Sequence, residues 1–324
     1  MRWVCGLCAV AALILLGCVE ENPALTPSTT VSPSPVPEAA VAIVNETTVK
    51  VRWKPSPSEN SPAFKEYYLV LTEIGAQTVV RRLSVTQRQP EYLLTLGGLR
   101  PGVLYGLDIW VRFTDNSLSP APRTLLFAAA PQYTEIAGQP IRLYEQTADP
   151  SLPNGLNFNV GGLPAVLDRN AVRQWDICFE IVDDTARIGP AADGRFWKGA
   201  WGEERPATAL LGSNTIPDVT ALDEVWVTSL LDTVAGQLRP VMLEVPQQLP
   251  SGKGLVFFVW RKTDATWAKV LIKPGPDGRL IQGSAPNRYV ELAFSYQKES
   301  GVASALPSRR AYAPDQPGRV GFEK

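Results

Sequence analysis

The chain has 324 residues, 45 % of them hydrophobic, with 31 Lys and Arg against 32 Asp and Glu, a formal net charge of -1 and no histidine. The missing imidazole excludes Ser-His-Asp and Cys-His catalysis, HExxH zinc sites and imidazole ligation of haem. A near-neutral charge without long basic runs argues against nucleic acid as a partner. The hydrophobic share suffices for sizeable cores, and the length suggests two domains.

Met1 and Arg2 precede an apolar run from Val4 to Leu16, which ends at Gly17-Cys18 before Glu20 and Glu21. As a helix that run would span about 20 Å, short of the roughly 30 Å hydrocarbon core, so residues 1–17 read as a removable leader. Leu15-Leu16-Gly17-Cys18 resembles the lipobox of bacterial lipoproteins. The resemblance implies that the Cys18 thiol carries a diacylglyceryl group and that two or more acyl chains hold the chain on a bilayer. Val19, in place of the inner-membrane-retaining Asp, implies the outer membrane or cell surface. The alternative is an ordinary secretory leader whose last cysteine is incidental.

Of four cysteines, Cys5 and Cys8 leave with the leader and Cys18 is lipidated, so only Cys178 remains and no internal disulfide is expected. In Trp175-Asp176-Ile177-Cys178-Phe179-Glu180-Ile181, period-2 alternation puts Cys178 opposite the apolar face, as an inert strand cysteine.

Residues 18–39 carry Pro23, Pro27, Pro33, Pro35 and Pro37 among Ser, Thr and Val, the composition of an extended tether. Residues 40–130 break into short alternating strands: Val49, Val51 and Trp53 share one face, Tyr67, Leu69 and Leu71 another, and Tyr105, Leu107, Ile109, Val111 and Phe113 a third. With Trp53, Phe64, Tyr67 and the Leu99-Pro101-Tyr105 corner, the segment resembles a fibronectin type III domain, an immunoglobulin-like sandwich that serves as a spacer or protein-contact module.

Residues 131–298 predict a second, mostly-β domain. Its signals are a Gly155–Val160 strand entering a Gly161-Gly162 turn, the strand at Trp175–Ile181, a hairpin around Thr263-Asp264, and an alternating strand from Arg288 to Tyr296. The stretch from Asp218 to Gly236 is the one helix candidate, and 299–324 read as a loose tail. The order of these motifs, with Trp267-Ala268-Lys269-Val270 on the hairpin's second strand, resembles the HmuY family of surface lipoproteins. That resemblance implies an all-β chain whose second domain binds haem or another hydrophobic small ligand.

Family members often hold haem through histidine, which this chain lacks, so the ligand candidates are Met242, by thioether, and Tyr289 and Tyr296, by phenolate. An ordinary core methionine and a core or edge tyrosine are the competing readings. Trp197 and Trp201, in an aromatic loop with Phe196, are placed to stack a flat ligand or a sugar, or else to pack over the sheet. Asp183-Asp184 and Glu203-Glu204 read as solvated turns rather than a glycosidase pair, and no catalytic or metal site is expected. The expected function is a non-enzymatic, lipid-anchored surface binding protein; the alternative is a structural or adhesive envelope protein contacting protein or polysaccharide without a small ligand.

Overall fold

A computed structural model of the chain describes residues 32–212, 215–226 and 238–297. The leader, Cys18, most of the predicted tether and the tail from 299 lie outside the described residues. The chain is all-β, as expected.

The first seven strands are β1 (Ala39–Asn45), β2 (Thr48–Trp53), β3 (Phe64–Glu73), β4 (Thr78–Val85), β5 (Tyr92–Leu96), β6 (Tyr105–Phe113) and β7 (Arg123–Phe127). They form two antiparallel sheets, β1-β2-β5 and β4-β3-β6-β7, facing each other as a sandwich. The alternating residues read from the sequence make its interior: Val49, Val51, Tyr67, Leu69, Leu107, Ile109 and Val111 are fully buried. Trp53 stacks on Tyr92 at 4.8 Å, and Tyr67 meets both rings edge-on. Each aromatic of this size removes ~150–250 Å² from water, about 4–6 kcal/mol before entropy is counted. The two tyrosine hydroxyls are satisfied by the buried Glu59 carboxylate, which accepts from Tyr67 at 2.5 Å and Tyr92 at 2.9 Å. The corner forms as predicted, the Tyr105 hydroxyl accepting from the Arg100 N–H at 3.0 Å.

Pro33 to Glu38, assigned to the tether by composition, pack on this sandwich. Val36 is buried, and Ser34 bonds through its N–H to Ser58 and through its carbonyl to Ser56.

Beyond it, the Ala209–Gly212, Gly254–Arg261, Thr266–Lys273, Tyr289–Gln297 and Gln139–Tyr144 strands run side by side in a ten-stranded sheet, in that order. A smaller sheet follows the order Leu163–Leu167, Gly155–Val160, Ile177–Val182, Thr185–Gly189, Leu243–Glu244. Between them lies one apolar layer that includes Ile141, Phe158, Phe179, Phe257, Val270, Leu292 and Phe294. The Gly254–Arg261 and Thr266–Lys273 strands close as the expected hairpin. Asp264 in its turn accepts from Thr266 Oγ1 at 2.6 Å and pairs with Arg261, which also reaches Asp176 at 2.7 Å.

The helix candidate at Asp218–Gly236 is not helical in its described part. Ile216–Val219 is a strand, Asp218 has a φ of 64°, and a single 3-10 turn covers Leu222–Glu224. Residues 227–236 lie outside the described residues. The reason is tertiary: Val219, Leu222 and Val225 are drawn into an apolar cluster with the sandwich residues and with Val256, Phe258, Leu271 and Ala293 on the outer face of the large sheet. The described residues from Pro33 to Gln297 thus form one compact unit. Lys50–Asp223 at 2.6 Å and the Arg52 guanidinium over Trp226 at 4.6 Å clamp the same turn.

Candidate functional site

The first sandwich covers only part of the large sheet's outer face. On the uncovered part the same alternation that buries Ile141, Leu143, Val290 and Leu292 turns Arg142, Tyr144, Tyr289 and Glu291 outward. The register sets Tyr144 opposite Tyr289, Arg142 and Lys273 opposite Glu291, and Gln282 opposite Tyr289. Cross-strand neighbours of this kind touch. The two tyrosine rings lie 5.2 Å apart, and the Arg142 guanidinium sits 4.7 Å from the Tyr289 ring. Glu291 takes Lys273 at 2.7 Å and Arg142 at 3.1 Å. Burial acts to raise the Glu291 pKa, but these two cations outweigh it and hold the carboxyl below its ordinary value.

Beside Tyr289 lies a half-open cleft of ≈ 260 Å³ lined by Pro276, Asp277, Arg279, Gln282, Gly283 and Tyr289. The Tyr289 hydroxyl is 3.3 Å from the Gln282 amide oxygen. Gly283 adopts a φ of +77°, and a Cβ there would meet the Asn287 carbonyl at 2.8 Å and the Tyr289 ring at 3.3 Å. A side chain at 283 would therefore displace the ring that walls the cleft. The strand ends carrying both tyrosines are pinned by Glu145, which accepts from Arg288 N, Nε and Nη2 at 2.8–3.0 Å.

The residues singled out from sequence fall in three places. Trp197 and Trp201 are buried, on a single α-helical turn, Trp197–Trp201, so the stretch read as an aromatic loop takes the alternative of packing over a sheet. They pack with Trp175, Cys178, Val172 and Ala191 on the outer side of the smaller sheet, and Met242 lies partly buried against them. Glu180 explains this placement, because its buried carboxylate accepts from the N–H groups of Arg195 at 2.8 Å and Phe196 at 3.0 Å. The Met242 sulfur lies against Gly189, where a Cβ would meet it at 3.0 Å. Tyr289 belongs instead to the polar face described above. Tyr296 is fully buried in the apolar layer between the two later sheets; the Tyr289 cleft takes none of the other candidates, and the cleft beside Trp201 is lined by Arg173, Gly202, Glu203, Glu204 and Arg205.

Cys178 is fully buried, which pushes its thiol pKa well up, with Glu180 adding to the rise. Asp183 and Asp184, at φ 52° and 56°, form the turn joining the Ile177–Val182 and Thr185–Gly189 strands. Among the described residues no group of three or more Cys, Asp or Glu side chains is placed to hold a metal ion.

Sequence reasoning missed Arg142, Tyr144 and Gln282, although Arg142-Leu143-Tyr144 alternates in the sequence, and it missed Lys269. The Lys269 amine is fully buried, donating to the Leu222 carbonyl at 2.8 Å. Burial pulls its pKa down to about 7, opposed by Asp223.

No known family matches the chain, and no curated protein matches it. Solved structures resembling about a third of it include the third fibronectin III domain of human KIAA0343 protein, at 21 % identity over 33 % of this chain and 90 % of that one, TM-score 0.26. The fn3 domain of human collagen alpha-1(XX) chain matches at 17 % identity over 35 % and 99 %, TM-score 0.27. A Yersinia enterocolitica family 28 exopolygalacturonase matches at 19 % over 31 % and 21 %, TM-score 0.21. The fibronectin type III-like character of residues 39–127 stands on the chain's own strand order and tyrosine corner.

Proposed function

We propose that the chain is a non-catalytic lipoprotein of the cell envelope, anchored through acylated Cys18, which makes structural or adhesive contacts through the Arg142, Tyr144 and Tyr289 face. The observation that carries this reading is the apolar cluster fusing the sandwich to the larger sheet, which turns one half of that sheet's outer face into core and leaves the other half polar and accessible. The space between the two later sheets is filled by side chains, as a load-carrying or contact module requires. Haem has no part in this reading, because Met242, Trp197 and Trp201 pack together on one sheet while Tyr289 lies on the other. The anchor is tested by feeding cells an alkyne-tagged fatty acid. The wild-type chain takes up label and fractionates with membranes, whereas Cys18→Ser does neither; equal labelling of both would sink the anchor. The contact role is tested by attachment of cells bearing the wild-type chain or Arg142→Ala/Tyr144→Ala, and equal attachment overturns it.

A further inference from the structure

We infer that the cleft between Gln282 and Tyr289 receives a neutral sugar ring of a polysaccharide; this rests on the contact role proposed for the same face. Charge is the first argument. In the cleft lining Asp277 is paired with Arg279 at 3.4 Å and the charges balance, while outside it Glu291 meets both Arg142 and Lys273, which leaves one positive charge over. A charged group entering the cleft would meet a like charge in Asp277 or Arg279 and would have to break their pair; an uncharged polar ligand meets no such conflict.

Hydrogen-bonding capacity is the second. A sugar hydroxyl both donates and accepts, and the cleft supplies both kinds of partner: the Asp277 carboxylate accepts, the Arg279 guanidinium donates, and the Gln282 amide and the Tyr289 hydroxyl do both. The Tyr289 hydroxyl and the Gln282 oxygen are 3.3 Å apart, a long and weak bond that a bound hydroxyl can replace with shorter ones.

Shape is the third. Tyr289 walls the cleft, and Tyr144, tilted by 44° against it, extends an aromatic surface beyond it. Apolar C–H faces of successive rings can lie on such a surface while their hydroxyls reach the polar rim. At ≈ 260 Å³ the cleft lies below the ~300–1,000 Å³ of sites that enclose drug-sized ligands, and its open side lets a polymer run on past it.

Isothermal titration of the full chain with chitohexaose, cellohexaose, maltohexaose and xylohexaose tests the inference. At least one should bind with a Kd at or below about 1 mM, a weak single-site affinity. Tyr289→Ala and, independently, Gln282→Ala should each weaken that binding by about tenfold or more. Leu163→Ser, on the exposed hairpin tip of the smaller sheet, should leave it unchanged. Near-ultraviolet circular dichroism establishes that each variant is folded, and Gln282→Ala keeps the test open if Tyr289→Ala is not. Absence of binding for all four probes, or binding that survives both substitutions, overturns the inference. Attachment that depends on Arg142 and Tyr144 while all four titrations are blank would leave the contact role standing with a different partner.

Discussion

Replacing Glu145 by Ala removes the acceptor of three hydrogen bonds from Arg288, two of them from the guanidinium. The Glu145 side chain is 1 % exposed and that of Arg288 31 %. Breaking a fully buried pair costs about 3–5 kcal/mol, but Arg288 can regain water, so the expected loss is about 2–3 kcal/mol. At roughly 2–4 °C per kcal/mol for a unit of this size, scanning calorimetry should show Tm lowered by about 5–10 °C. The pH dependence is a second handle, read with Glu145→Gln. Burial acts to raise the Glu145 pKa, but Arg288 outweighs it and the folded value lies below the ordinary one. The stabilisation is then complete above the unfolded value of about 4.3 and is lost as pH falls through the folded value. The gap between wild type and Glu145→Gln should therefore be widest at neutral pH and shrink on acidification. A loss for Glu145→Ala below about 0.5 kcal/mol at neutral pH, or a Gln gap as large in acid, would refute the reasoning, because it would mean the pair is no better than a surface ion pair. Since Glu145 follows Tyr144 and Arg288 precedes Tyr289, the same substitution should also loosen the sugar-binding face.

Lys269→Met should flatten the pH profile of stability: the wild-type chain gains stability as pH rises from about 7 toward about 10.4, where the unfolded chain still holds the proton that the buried amine has lost, at up to about 1.4 kcal/mol per unit. Parallel urea-derived profiles for the two proteins would contradict this. Gly155→Ala puts a Cβ into the Trp175 ring, an overpacking cost of about 1–3 kcal/mol. In a Trp175→Ala background that cost should vanish, and strict additivity in the double-mutant cycle would show that the ring is not what excludes the methyl.

Much of the first sandwich is legible from periodicity, because strands such as β2, β3 and β6 turn alternate residues into one core. Val49, Val51 and Trp53, or Tyr67, Leu69 and Leu71, announce that face without help from the rest of the chain. The corner at Leu99 to Tyr105 is equally local, since turn and hydroxyl acceptor lie within a few residues. The candidate site is less legible. Trp197 and Trp201 invite a binding role by composition, yet Glu180, 17 residues before Trp197, draws their loop inward and makes them core. Asp218 to Val225 carries a helical pattern that loses to burial of Val219, Leu222 and Val225 against two separate sheets.

What the sequence determined by itself was the class of structure and the chemistry excluded: alternating strands, no imidazole, one cysteine after the predicted anchor. What only the tertiary structure decided is which outward-facing residues remain outward. Lys269 and Lys273 stand on the same face of the same strand, four residues apart, and no local signal separates them. One is covered by the Leu222 turn and deprived of water, and the other meets Glu291 beside the tyrosines. Alternation assigns a residue to a face, but what covers that face is set by segments distant in the chain.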